Sequence, residues 1–377
     1  MSAGTTGVVG VVGGGQLARM LHQAAISLAI RVVVLDPDPG CAAAAAGAER
    51  FDGTWTSADD LVAFANSGVD VVTFDHELAD PDDLVRLEAA SPVPVRPAPA
   101  TKVLAQDKLV ARTALEGRGF GIPAFAAVHD VAQVQAFAAE HGWPVVLKTS
   151  RGGYDGRGVW IVRDAREAAE VLAAGDGFMV EELVDIREEL AVMVARRPGG
   201  SLRSWPVFRT TQVEGICTEV ILAAGSPLTD RARALAERLA EHVELTGVMA
   251  VEFFVDAGGE LLVNELACRP HNSGHVTMDS CITDQFEQHL RAVLDLPLGA
   301  TEPTVDVAVM VNVLGGAAPW SAEDFADAVA TDRTSLHLYG KGHRPGRKLG
   351  HVNAVGDSVE ETLGRARKVA AVLGGSD

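Results

Sequence analysis

The sequence predicts a chain of mixed α/β and α+β class in three parts: a doubly wound domain, a larger strand-rich core, and a small closing domain. Three observations predict it. Apolar runs at 7–12 (GVVGVV), 31–35 (RVVVL) and 69–74 (VDVVTF) alternate with helical patterns, as in a parallel sheet covered on both faces. Pro92, Pro94, Pro97 and Pro99, then Pro297 and Pro303, interrupt these patterns, and proline suits neither a helix interior nor a central strand. Between the two breaks strand patterns dominate. The expected boundaries are therefore 1–103, 104–298 and 299–377.

The elements follow in order. Gly13, Gly14 and Gly15 end the first strand, and Leu17, Met20, Leu21 and Ala24 carry a helical pattern after them. A helix is expected over 101–117 and a strand over 145–149. A glycine-rich loop leads from there to a strand at 159–162. Strands at 178–184 and 189–195 precede a long helix at 227–245 and a hairpin at 248–265. The last part holds a strand at 305–313, a basic loop at 339–351 and a helix at 358–373.

Of 377 residues, 47% are hydrophobic, enough for more than one core, and the formal net charge is −19. Such a chain repels nucleic acid unless basic groups are segregated. No apolar run approaches the roughly 18 residues of a membrane span. The N-terminus lacks a basic region before its apolar run and reads as a strand, not a signal peptide. Cys41, Cys217, Cys268 and Cys281 form no CxxC pair, so neither a disulfide framework nor a zinc site is expected, and a cytoplasmic location is.

The segment VMAVEFFVDAGGELLVNEL (248–266) reads as two strands about a Gly258-Gly259 turn. Counting outward, Ala257 faces Glu260, Val255 faces Leu262, and Glu252 falls opposite Glu265. Facing carboxylates destabilise a sheet unless one is protonated or a cation lies between them. Oxygen ligands suit Mg²⁺, which takes its remaining ligands from nucleotide phosphates. By alternation Asn264 points to the other face, with the strand end as its route to the site.

The stretch VVLKTSRGGYDGRGVWIV (145–162) places Gly152, Gly153, Gly156 and Gly158 between two strands. Backbone without Cβ atoms can approach phosphate oxygens and offer N–H donors. Lys148 lies on the preceding strand, and Arg151 and Arg157 add positive charge. No GK[ST] follows, so this is not a Walker loop. Tyr154 and Asp155 lie at the tip, where a carboxylate beside phosphate suggests substrate contact or proton transfer.

Gly13, Gly15 and Ala18 fit GxGxxA, with Asp36 ending the next strand, a Rossmann-like fingerprint. This keeps an NAD-dependent oxidoreductase open as a rival, together with a nucleotide-binding module without catalysis. The run KGHRPGRKLGH (341–351) holds four Lys/Arg and no acid, a fit for a small phosphate ester. Arg269, His271, Asn272, Ser273 and His275 crowd the segment after the carboxylate hairpin, like the wall of a site.

The motifs GGGQLARML (13–21), RGGYDGRG (151–158), NELACRPHNSGH (264–275), DQFEQHLRAVLDLPLG (284–299) and RPGRKLGHVN (344–353) together resemble the N5-carboxyaminoimidazole ribonucleotide synthases, the ATPase subunit of phosphoribosylaminoimidazole carboxylase. The resemblance runs in order along nearly the whole chain. It implies an ATP-grasp core and an ATP-dependent, ADP-forming carbon–nitrogen ligase of purine synthesis. That ligase uses Mg²⁺, with Mn²⁺ as a substitute, carboxylates 5-aminoimidazole ribonucleotide with bicarbonate through carboxyphosphate, and is a homodimer.

The resemblance also implies site residues. Nucleotide positions are Lys108, Lys148, Gly153 through Val159 (with Tyr154, Asp155, Gly156, Arg157 and Gly158), Glu181, Glu182, Leu183, Val184, Glu189, Gln212, Asn264 and Glu265. Metal positions are Glu252 and Glu265. Substrate positions are Gly15, Gln16, Leu17, Asp75, Glu77, His271, Asn272, Ser273, Lys341, Arg344, Arg347 and Lys348. Asp155, Tyr154, Arg269 and Lys341 fall at the reacting centre. Departures from the family are Asp75 for a glutamate, Gln212 for a histidine, Cys268 for a proline and Val276 for a tryptophan. A formate-using glycinamide ribonucleotide transformylase shares the core fold but should lack GGYDG and RPGRK together.

Overall fold

The computed structural model describes residues 6–153, 156–222 and 225–375. Tyr154 and Asp155 lie outside the described residues.

The first sheet is parallel, in the order Glu49–Phe51, Ile30–Leu35, Gly7–Val12, Val71–Phe74. The chain adds its second and third strands on one side of the first, then crosses to the other side for the fourth. In such sheets the direction change opens a crevice at the carboxyl ends of the first and fourth strands. Gly13–Gly15 and Asp75 stand on its two walls. Gly13 has φ +98, a conformation glycine adopts without a Cβ penalty. Helix Gln16–Ser27 then buries Leu17, Met20 and Leu21 on the sheet.

The core holds two sheets. The smaller is antiparallel, ordered Phe125–Val128, Phe178–Glu182, Val145–Thr149, Val159–Val162. The larger has nine strands among the described residues, and Ile186–Arg196 and Gly247–Asp256 are central in it. Residues Leu190 to Ala195 are buried without a break, so both faces of this strand are covered. It runs well beyond the 189–195 expected.

Two expectations about elements need correction. The helix foreseen over 101–117 is two, Pro99–Gln106 and Lys108–Glu116. Asp107 breaks it: its Oδ1 accepts from Leu109 N–H at 3.0 Å and Val110 N–H at 3.1 Å, capping the second helix. Lys108 N–H then donates to Ser150 O at 2.8 Å, which pins the start of this helix to the glycine-rich loop. The basic run 339–351 is also not all loop, because Lys348–Gly356 is a strand. It pairs with Val307–Leu314, which pairs in turn with Ile216–Leu222, so the last part of the chain extends the core sheet.

His289 joins the first sheet to the core. Its Nδ1 accepts from Val248 N–H at 3.1 Å, which leaves Nε2–H to donate to Thr73 Oγ1 at 2.8 Å. Burial depresses the pKa of His289 to about 3, and burial chiefly lowers His271 to about 3 and His76 to about 4; His275 and His351 lie well below their ordinary value for the same reason. A pKa lowered by folding means the unfolded chain binds more protons once pH drops below about 6.5, so stability must fall with acid at up to about 1.4 kcal/mol per pH unit for each such histidine. Asp75 and Glu189, raised by burial to about 6 and about 7, act the other way but are outnumbered. Urea midpoints taken at pH 7.5 and pH 5.5 should show a clear loss at the lower pH.

Candidate active site

The carboxylate pair is present, reached by a route different from the one counted out in the sequence. Asp256 N–H donates to Glu260 O at 3.1 Å, and Gly259 N–H to Asp256 O at 3.0 Å, with Gly259 at φ +84. The turn thus has three residues, Ala257 to Gly259, with a left-handed glycine at its end. That moves the register by one, so Val255 pairs with Leu261 and not with Leu262. A bulge at Asn264 then moves it back, and Glu252 pairs with Glu265. The extra residue turns Asn264 toward the side that carries both glutamates, which corrects the expectation that it faces away.

The positions expected at the nucleotide include a buried ionic cluster between the two sheets. Lys148 Nζ contacts Glu181 Oε2 at 2.5 Å, and Arg112 Nε contacts Glu181 Oε1 at 2.6 Å. Arg112 also donates to Val263 O at 3.2 Å, so one buried side chain ties the small sheet to the large one. Burial would raise the Glu181 carboxyl, but Lys148 and Arg112 outweigh it and hold the pKa below its ordinary value. Lys108, Arg112, Asn264 and Glu265 line one cleft. A Cβ on Gly153 would lie 3.6 Å from Lys108 Nζ, so the glycine loop and this lysine converge. At Gly156 a Cβ would come within 2.5 Å of Glu214 O, so the same loop packs against a turn of the large sheet.

Other positions expected at the nucleotide lie outside that cleft lining. Glu182 Oε1 accepts from Ala124 N–H at 2.8 Å, and Leu183 and Val159 are 43% and 38% exposed. Val184 is half-buried. Glu189 pairs across the sheet with Phe254, two residues from Glu252 on the same face. Gln212 is half-buried beside a register shift opposite Cys217. Arg151 Nε binds Asp107 Oδ2 at 2.7 Å. Gly158 accepts from Thr149 N–H at 2.9 Å, and Arg157 flanks it on the loop.

The third cluster sits at the crevice of the first sheet. Asp75 Oδ2 accepts from Gly15 N–H. Glu77 Oε2 receives Arg269 Nε at 2.6 Å, and the buried Glu77 Oε1 has no partner among the described residues. Burial pushes Asp75 up to about 6 against the pull of Arg269, Gly15 N–H and Lys341. Lys341 Nζ donates to Gln16 Oε1 at 2.5 Å and lies 5.6 Å from the Tyr339 ring centre. His271 Nδ1 is 3.7 Å from Glu252 Oε1 and 2.9 Å from Ser273 Oγ. Lys348 is near enough to His271 to help depress its pKa. Asn272 lies against the Cys217 thiol.

Some positions sit less close. Leu17 is a core residue at 5% exposure, so only its backbone faces the crevice. Arg344 is exposed, and Arg347 Nη1 donates to Gly342 O at 3.0 Å. Cys268 and Val276 are fully buried, in keeping with packing roles. Asp36, the acid of the dinucleotide fingerprint, accepts from Gly14 N–H at 2.8 Å and Asp38 N–H at 2.9 Å. Its carboxylate is occupied in holding the glycine turn and does not reach out for a ribose. Sequence reasoning missed Arg112, because a helix arginine carries no motif that separates it from solvated ones, and gave no role to Gln285 of the 284–299 motif, because nothing in its spacing names a partner.

Known proteins resemble this chain throughout its length. The ATP-grasp domain family matches residues 113–286, the ribonucleotide synthetase preATP-grasp domain residues 6–106, and the phosphoribosylaminoimidazole carboxylase C-terminal domain residues 308–365. An N5-carboxyaminoimidazole ribonucleotide synthase of Mycobacterium bovis is 45% identical over 383 aligned positions, covering 96% of this chain and 87% of the relative. The crystal structure of the Thermotoga maritima synthetase superposes with a TM-score of 0.86 at 35% identity, covering 97% of this chain and 98% of the other. The Aspergillus clavatus synthase, crystallised with ADP and 5-aminoimidazole ribonucleotide, gives a TM-score of 0.89 at 29% identity, covering 98% of this chain and 99% of the other. With an ATP-grasp core between a preATP-grasp domain and a carboxylase C-terminal domain, the chain belongs to the N5-carboxyaminoimidazole ribonucleotide synthase family.

Proposed function

We propose that this chain is an ADP-forming carbon–nitrogen ligase that carboxylates 5-aminoimidazole ribonucleotide with ATP and bicarbonate, in purine synthesis. In the overall reaction a bicarbonate oxygen takes the γ-phosphoryl group of ATP, giving carboxyphosphate and ADP. The exocyclic amine nitrogen bonds to the carboxyl carbon, phosphate leaves, and the nitrogen gives up a proton. The observation that carries this reading is the junction of three clusters. A Lys148–Glu181–Arg112 set and the cationic Arg269 flank a facing Glu252/Glu265 pair: Glu265 acts on the charge of both Lys148 and Arg269, and Glu252 Oε1 lies 3.7 Å from His271 Nδ1.

Each cluster has a chemical part. Lys148 and Lys108 offer positive charge to ATP phosphates, with Gly153, Gly156 and Gly158 lending close backbone. Glu181 orients both Lys148 and Arg112. Leu183 and Val184 offer the adenine an apolar edge, and Glu182 and Glu189 complete the adenosine side. Glu252, Glu265 and Asn264 offer a cation a few oxygen ligands, leaving the rest of its shell to other groups. That matches Mg²⁺, which keeps water and phosphate oxygens in its shell. When bound, the ion neutralises charge on the transferred phosphoryl group.

At the crevice, Gly15, Gln16 and Leu17 present a helix N-terminus to an anionic ligand. Asp75 and Glu77 face its polar groups, and His271, Asn272 and Ser273 wall the reacting end. Arg269, Lys341, Arg344, Arg347 and Lys348 balance the charge of substrate phosphate and of carboxyphosphate. Asp155 and Tyr154 are assigned the amine or bicarbonate proton and a substrate contact on the resemblance alone. The proposed domains are 1–103, 104–298 and 299–377, the proposed assembly is a homodimer, and the free thiols of Cys41, Cys217, Cys268 and Cys281 suit the cytoplasm. The test is ADP release from ATP. It should require both 5-aminoimidazole ribonucleotide and bicarbonate and be indifferent to NAD and to formate. Release with formate, or a need for NAD, would refute the reading.

A further inference from the structure

Gln285 opens helix Gln285–Val293 and is fully buried, yet it is a polar side chain with no place in the chemistry above. Its partners explain why it is there. His271 N–H donates to Gln285 Oε1 at 2.8 Å, and Gln285 Nε2 donates to His271 O at 2.8 Å. One side-chain amide thus pairs with both main-chain groups of a single residue, as a neighbouring strand would. The second Nε2 hydrogen meets His275 Nδ1 at 2.8 Å. These partners fix which end of the amide is oxygen: one site offers a donor and the other two offer acceptors.

The seat of Gln285 is itself fixed. Its N–H donates to Thr277 Oγ1 at 3.1 Å, and that hydroxyl donates to Gly274 O at 2.6 Å. A Cβ on Gly274 would stand 2.5 Å from Gln285 Oε1, so the loop closes around the amide only with glycine there. His275 stacks on Phe286 with ring centres 5.6 Å apart and on His351 at 4.7 Å. On the other side of the loop, the His271 ring lies 3.7 Å from Glu252. Its position against the carboxylate pair is therefore set from behind, by Gln285.

We infer that Gln285 is a positioning residue: it holds His271 in register with the reacting end of the substrate. The inference rests on the proposed carboxylation. Losing all three hydrogen bonds would leave buried groups unpaired, so the informative variant is Gln285→Glu, which keeps the shape and the acceptor for His271 N–H but has at most one donor where the amide has two. At pH 8, kcat/KM for 5-aminoimidazole ribonucleotide should fall about 10- to 100-fold, the scale of a small misplacement of a reacting group, while KM for ATP moves less than about 2-fold. In a His271→Ala background the same change should add no further loss, because the two residues act as one unit. NMR of the histidine Cε1–H groups reads the seat directly: the His271 signal should shift in Gln285→Glu while that of His289 stays. Wild-type kinetics in Gln285→Glu, losses that multiply in the His271→Ala background, or an unmoved His271 signal would each overturn the inference. A wild-type chain that turns over no 5-aminoimidazole ribonucleotide, with the His271 signal still displaced in the variant, would strike the proposed function instead.

Discussion

Glu265→Ala is expected to lower kcat by about 10³-fold or more at saturating magnesium, with the protein still folded. Glu265 is one of two carboxylates proposed to hold a Lewis acid, which would supply several kcal/mol of charge stabilisation, about 4 kcal/mol corresponding to a 10³-fold change in rate. Glu265 is exposed and its partner Glu252 lies directly across the bulge. The alanine leaves no buried charge unpaired and relieves the repulsion of two facing acids, so stability should hold or rise. Loss of turnover without loss of structure is the signature sought, read by steady-state kinetics and a urea melt on the same preparation. Undiminished turnover would remove the metal from this hairpin, and with it the core of the proposed mechanism.

Arg269→Met should damage both stability and turnover. The guanidinium donates to Glu77 at 2.6 Å and also holds down the nearby Asp75 carboxyl. Burial alone would raise Glu77, but Arg269, with help from Lys102, brings its pKa below the ordinary value. A carboxyl depressed by folding contributes stability present above its unfolded pKa and lost as pH falls through the folded one. Without Arg269 this contribution shrinks near neutrality, and a largely buried acid keeps only the help of Lys102, at a cost of up to about 3–5 kcal/mol. Asp75 and Glu77 should then both titrate at higher pH. The acid limb of the kcat/KM profile for the ribonucleotide should move upward, and the urea midpoint should drop at pH 7. A variant with the wild-type midpoint and an unmoved acid limb would show that Arg269 carries no such burden.

The sequence was most informative where chemistry demands a rare pattern. Four glycines between two strands, with Lys148 on the first of them, marked a loop that the structure brings against Lys108. Two glutamates equally spaced about a glycine pair marked a facing couple. That couple survives in the structure only because two departures cancel: a three-residue turn shifts the register and the bulge at Asn264 restores it. Neither departure is visible in the alternation of apolar residues, since each one alone would pass for a slip of one position. The break at Asp107 was hidden likewise, because the apolar spacing over 101–117 continues through it.

By itself the sequence determined the class of the first domain, the hairpin that carries the acids, the glycine loop and the basic run, because each is set by local periodicity and by residues with few alternative uses. Tertiary structure alone decided which distant groups meet. Arg112 reaches Glu181 and Val263, Arg269 reaches Glu77, and Gln285 grips His271 across separations that no periodicity encodes. Buried polar groups take whatever partner the folded chain brings within about 3 Å, and that choice is made when the sheets pack.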